Sequence, residues 1–235
     1  MCGPDCWPWA RRWVSPLSVG DGRPMKFYDI TQTYEPGMRH YASLEDFEYA
    51  WLRHYSKGSG MALSRFTMTS HLGTHIDSPY HFLEEGRRTI DIPLDTLCGP
   101  AQVVDARGRP CIDRGFLENA AVTRPRILFH TDNTALLAAG GEFENVYLTP
   151  DACAYLIERG VVLVGIDYFS VDPKGDKSRS AHLPLLEHQV VILEAVELEG
   201  IPPGEYELLC LPLKFRDLEG APCRAVLRGT EEELK

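Results

Sequence analysis

The sequence predicts a layered α/β fold in a single domain, and three observations carry that reading. Residues 161–166 (V-V-L-V-G-I) form a wholly apolar run of strand length, the pattern of a strand covered on both faces. Stretches with strand alternation or β-branched content surround it, at residues 63–70, 101–106, 126–131 and 189–198. Long helical patterns are few, and no glycine-rich nucleotide-binding pattern follows any strand, which separates this chain from the doubly wound sheets. At 235 residues, 44% hydrophobic and 25% charged, the chain is long enough for one domain with a substantial core.

The elements follow in order. Residues 1–24 carry prolines, tryptophans and arginines without periodicity and are expected to hold little order, leaving 25–235 as the domain. No apolar core of signal-peptide length follows Arg11 and Arg12, so secretion is not supported. Residues 26–31 (K-F-Y-D-I-T) read as the first strand, ended by the Pro36-Gly37 turn. Residues 43–55 place Phe47, Ala50, Trp51 and His54 at helical spacing behind a Ser43-x-x-Asp46 cap, so an amphipathic helix is expected. Residues 87–94 read as loop. A helix is expected over residues 150–159, with Thr149 accepting from its first turn and Gly160 ending it.

Composition excludes several classes of partner. A formal net charge of -10 would repel nucleic acid and anionic membrane surfaces. No apolar run is long enough to span a bilayer. Seven cysteines, an odd number scattered through apolar segments, do not form a disulfide framework and fit a reducing cytoplasm. Cys2 and Cys6 lack a second pair at zinc-finger spacing and read as incidental.

The chemistry concentrates in residues 70–82, S-H-L-G-T-H-I-D-S-P-Y-H-F, which hold His71, His75, Asp77 and His81. On a helix, Asp77 would lie roughly 200° round the axis from His75, and Pro79 would break the turn. On a straight strand, His71 and His75 would stand about 13 Å apart. A strand ending at His71, a sharp bend at Gly73 and an extended piece through His75 and Asp77 would let the three converge. Imidazole with carboxylate suits zinc, manganese or iron rather than calcium or magnesium. His81, beyond Pro79, stands where a general acid/base would be wanted.

Further along, alternation over residues 189–198 puts Glu194 on a face with Ile192, Val196 and Leu198. An unpartnered carboxylate there would be costly, and a metal ion would supply a partner. Asp105 and Asp167 end apolar strands and read as turn or cap residues, and Thr131 as a satisfied core hydroxyl.

The run H-L-G-T-H-I-D-S-P-Y-H-F resembles the H-x-G-T-H-x-D-x-P-x-H signature of the metal-dependent cyclase family, which includes bacterial kynurenine formamidases and isatin hydrolases. The match is complete at every fixed position, and the likeness extends over residues 25–228, with Pro36-Gly37-Met38 as the family's opening turn and 206–214 and 220–227 as its closing strands. The resemblance implies a domain of the swivelling β/β/α type, assembled as a homodimer or larger. It implies His71, His75 and Asp77 as ligands, with His182 and Glu194 completing a site for two zinc ions per subunit, or manganese instead. His81 becomes the acid/base and Asp77 the bridge between ions. Many formamidases have W-P-G-D where this chain has Arg39-His40-Tyr41, so Tyr41 stands in for the substrate-lining tryptophan. The implied activity is hydrolysis of a small aromatic amide, an aryl formamide such as N-formylkynurenine. Cyclic amide or lactone hydrolysis in the manner of isatin hydrolases, or an aromatic-pathway cyclisation, is the alternative. A metal-stabilised scaffold is disfavoured because a closed structural site has no use for His81.

Overall fold

The computed structural model describes residues 18–19 and 23–230. Within them the strands are β1 (Ser18–Val19), β2 (Arg23–Asp29), β3 (Glu48–Arg53), β4 (Leu63–Thr67), β5 (His75–Asp77), β6 (Cys98–Asp105), β7 (Cys111–Ile112), β8 (Arg126–His130), β9 (Tyr147–Leu148), β10 (Leu163–Ile166), β11 (Val191–Glu194), β12 (Gly204–Pro212) and β13 (Gly220–Thr230). The helices are α1 (Leu94–Leu97), α2 (Arg114–Asn119), α3 (Asn133–Ala139), α4 (Pro150–Glu158) and α5 (His182–Glu187). The expectation of little order over residues 1–24 lies almost wholly outside the described residues. Within that stretch Ser18 and Val19 pair antiparallel with Pro24 and Arg23.

The fold is mixed α/β with few helices. One sheet runs β1-β2-β13-β12-β6-β8-β10-β11-β5, and β5 also pairs with β13, so the sheet closes on itself. The run β6-β8-β10-β11 is parallel, and β5, β12 and β13 close the ring antiparallel. Period-two alternation explains the two apolar clusters. Val103, Leu128, Leu163, Leu193, Leu208 and Leu227 turn into the ring. Val104, Ile127, Phe129, Val164 and Ile192 face outward and are covered by Phe116 and Leu117 of α2, Leu156 of α4 and Leu185 of α5. β10 is buried throughout because it is covered on both faces, as its composition requires. α4 begins as expected, with the Thr149 hydroxyl accepting from Ala152 N and Pro150 in the first turn, and Gly160 follows its end at φ +72°.

Three expectations are corrected. Residues 43–55 are not a helix: β3 pairs antiparallel with β4 as a separate hairpin, every strand residue of which is exposed. Phe47, Tyr49 and Trp51 alternate along the chain as well as they repeat helically. As a strand they form one row with Phe66, ring centroids 5.8–6.2 Å apart. The Ser43-x-x-Asp46 pattern caps nothing; the Asp46 carboxylate accepts from Gly37 N and Phe47 N. The strand expected to run to His71 stops at Thr67, because β4 belongs to the hairpin, and the turn from residue 70 carries the bend instead. A single turn of 3-10 helix, Thr89–Asp91, and the start of α1 interrupt the loop expected over 87–94.

Candidate metal centre

Gly73 makes the bend, at φ +66°, in contact with the Tyr34 ring, whose hydroxyl donates to Leu72 O and Thr74 O. A side chain here would meet that ring at 2.7 Å. The bend delivers the chain into β5, wedged between β11 and β13. Register puts His75 opposite Glu194 and Asp77 opposite Ile192. α5 then brings His182 to the same point from outside the ring.

Around Asp77, at 0% exposure, the imidazoles gather. His71 Nδ1 lies 2.8 Å from Asp77 Oδ1, and His75 Nε2 lies 3.3 Å from the same oxygen. His182 Nε2 lies 3.4 Å from Asp77 Oδ2 and 3.2 Å from Glu194 Oε1, while His75 Nε2 is 3.5 Å from Glu194 Oε2. The ligand atoms of His71, Asp77 and His81 fall within 4.8 Å of one another, and so do those of His75, Asp77 and Glu194. Asp77 belongs to both groups. The structure thus brings together all six residues read from the sequence, and draws His81 closer to the donor set than its place beyond Pro79 requires.

The other imidazole nitrogens are fixed from outside. His71 Nε2 lies 3.1 Å from Glu219 Oε1, His75 Nδ1 donates to Gly73 O at 2.8 Å, and His182 Nδ1 donates to Asp172 Oδ2 at 2.6 Å. Each ring therefore has one nitrogen held and the other aimed inward, the arrangement that orients metal-binding histidines. Asp172 and Glu219 escaped the sequence reading. Asp172 also accepts from Ala181 N and His182 N, and Glu219 from the Ser70 hydroxyl. Both sit in loops where a carboxylate ordinarily serves a turn, and only the fold shows which histidine each one holds.

Both Asp77 oxygens and His75 Nε2 are buried without an aligned hydrogen bond. Such orphaned groups cost several kcal/mol unless something else meets them, roughly 1–3 kcal/mol each and more when charged. Burial and the Asp77 charge push the Glu194 carboxyl upward, the response of two acids that share a dry site. Burial also works to raise Asp77, but the surrounding imidazoles of His71, His81 and His182 overcome it and hold that carboxyl well below its usual range. Burial, helped by His71, His182 and His75, takes His81 down to about 4 against the pull of Asp77. Its imidazole is therefore neutral at pH 7. Two carboxylates and three inward imidazole nitrogens, with both Asp77 oxygens and His75 Nε2 unpartnered, fit one or two divalent cations of the zinc or manganese kind.

A cavity of about 300 Å³ opens over this cluster, walled by Tyr41, Leu44, Phe82, Phe169 and Arg179, with His71, His81, His182 and Glu194 at its floor. That is the small end of ligand pockets. Tyr41 thus reaches the wall where a tryptophan substitute was expected, 39% exposed. Asp167 is bonded to Thr131 and Thr134, and Asp105 pairs with the exposed Arg107, so neither joins the cluster. Thr131 is the satisfied core hydroxyl expected of it.

The sequence profile of the family described as "Putative cyclase" matches residues 28–173. Kynurenine formamidase of Bacillus mycoides (strain KBAB4) is 37% identical over 185 residues, covering 77% of this chain and 86% of that protein. Kynurenine formamidase of Salinibacter ruber is 36% identical over 215 residues, covering 88% and 100%. Among solved structures, a predicted metal-dependent hydrolase from Bacillus stearothermophilus superposes with a TM-score of 0.75 at 29% identity, over 87% of this chain and 98% of that one. Isatin hydrolase A from Labrenzia aggregata shares the fold, with a TM-score of 0.77 at 22% identity over 88% and 94% of the two chains.

Proposed function

The chain belongs to the cyclase family, and from that premise we propose that it is a metal-dependent hydrolase of an aryl formamide such as N-formylkynurenine. The observation that carries the reading is the pair of orphaned Asp77 oxygens ringed by inward-facing nitrogens on the floor of a small cavity. His71, His75, Asp77, His182 and Glu194 would hold two zinc ions, with manganese as the alternative, and Asp77 shared between them. When bound, such ions acidify water and polarise a carbonyl oxygen. His81, neutral and at the cavity floor, takes the proton released as the C–O bond forms and passes it to the departing aryl nitrogen as the C–N bond breaks. Water and the formamide thereby become formate and an aryl amine. Tyr41, Phe82 and Phe169 supply aromatic walls for the ring of the substrate.

Two further assignments belong to the same reading. The ring-lining and outward apolar clusters support a swivelling β/β/α domain, with two strand layers and one helical layer. The hairpin β3–β4, with Tyr49, Trp51 and Phe66 exposed, supports a homodimer or larger assembly, which sedimentation velocity would test. Among the described residues no helix is long and apolar enough to cross a membrane.

The activity is tested by offering zinc- and manganese-reconstituted protein N-formylkynurenine and isatin side by side. Hydrolysis of the formamide supports the proposal. Turnover of isatin alone would move the assignment to cyclic amides.

A further inference from the structure

Arg179 stands at an unusual place in the cavity wall. Its guanidinium carbon lies 4.1 Å from the centroid of the Phe82 ring, stacked on its face. Phe82 itself lies against two of the four imidazoles of the site, centroid to centroid 3.9 Å from His81 and 5.2 Å from His182. A single aromatic ring therefore separates the cation from the proposed proton shuttle. A stacked guanidinium keeps its in-plane N–H groups free for a planar acceptor, and among the described residues no carboxylate pairs with Arg179.

The loop around it is built to hold this position. Arg179 has φ +56°, the left-handed region that non-glycine residues rarely occupy unless their surroundings impose it. Asp176 imposes it, accepting from Ser178 N, Ser178 Oγ and Ser180 N. Asp172 pins the next residues through Ala181 N and His182 N. Both acids lining this side of the cavity are thereby occupied with the backbone, and among the described residues Arg179 is the one arginine or lysine on the cavity wall.

We propose that Arg179 is a specificity-determining residue, whose in-plane N–H groups bind a carboxylate on the substrate and so favour the acid over the matching neutral ester. The inference rests on the functional reading above and deepens it. A guanidinium on an aromatic face presents two parallel donors to a carboxylate, which a lysine would meet only as a point charge. Its position across one ring from His81 suits a side chain attached to the same aromatic ring as the formamide.

The test compares an acid with its ester. Binding of kynurenine and kynurenine methyl ester to zinc-loaded wild type, Arg179→Met and Arg179→Lys is measured by calorimetry. Hydrolysis of N-formylkynurenine and its methyl ester is followed in parallel. Wild type should prefer the acid in both assays. Arg179→Met should weaken kynurenine binding and raise KM for the acid by about tenfold. Its kcat should stay within about twofold and the ester should respond far less, with Arg179→Lys recovering part of the loss. Equal effects on acid and ester, or a wild type indifferent between them, would overturn the proposal. Should neither formamide be hydrolysed while kynurenine still binds through Arg179, the hydrolytic reading fails and the carboxylate site stands. Hydrolysis that proceeds equally well with acid and ester would leave the hydrolase standing and remove the carboxylate site.

Discussion

Asp172→Asn separates orientation of a metal ligand from folding. Asp172 Oδ1 accepts from Ala181 N at 2.6 Å and His182 N at 3.2 Å, while Oδ2 accepts from His182 Nδ1 at 2.6 Å. An asparagine keeps one oxygen for the backbone of α5 but offers no charged acceptor to the imidazole. Exchanging a charge-assisted hydrogen bond for a neutral or lost one costs about 1–1.5 kcal/mol, which corresponds to roughly tenfold in affinity. That matches the usual penalty for outer partners of metal-binding histidines, about 10–100-fold. Competition against a chromophoric chelator should show zinc held about tenfold more weakly, with the metal-free protein still folded and its melting temperature lowered by only about 2–6 °C. Unaltered zinc affinity in a folded Asp172→Asn protein would refute the claim that Asp172 aims His182 at the cation.

The remaining predictions bear on the proton shuttle, the bend and the centre as a whole. His81→Ala should lower turnover by at least about a hundredfold while bound metal, measured by elemental analysis, is retained. Gly73→Ala should destabilise the fold by about 1–3 kcal/mol in thermal unfolding, because the new methyl meets the Tyr34 ring at 2.7 Å and φ is +66°. Zinc at a hundred times its dissociation constant should raise the melting temperature by about 5–10 °C, and a chelator should reverse the rise.

The elements legible in the sequence were those whose local chemistry and tertiary setting agree. α4 carried its cap, its proline and its terminal glycine within a dozen residues, and β10 announced its burial by lacking any polar residue. Gly73 was legible because no other geometry lets His71, His75 and Asp77 meet. Residues 43–55 were misread because Phe47 and Trp51 fit the helical and the strand period alike, and only the partner strand β4 decides between them. Sheet closure through β5 and β13 was beyond reach, since that pairing joins residues 75–77 to 220–222. The same distance hid Glu219, which holds His71 from across the sequence. Asp172 was hidden by its setting, a loop acid ten residues before its histidine. Arg179 was passed over as part of a polar loop, since its approach to Phe82 arises only when α5 docks beside the residues after β5.

The most direct test is formate release from N-formylkynurenine by the purified chain, stripped of metal and then reloaded with zinc. The account predicts no turnover when stripped, turnover on reloading, and none with Asp77→Asn at the same zinc concentration. Hydrolysis that survives complete metal removal, or that Asp77→Asn leaves intact, would contradict it.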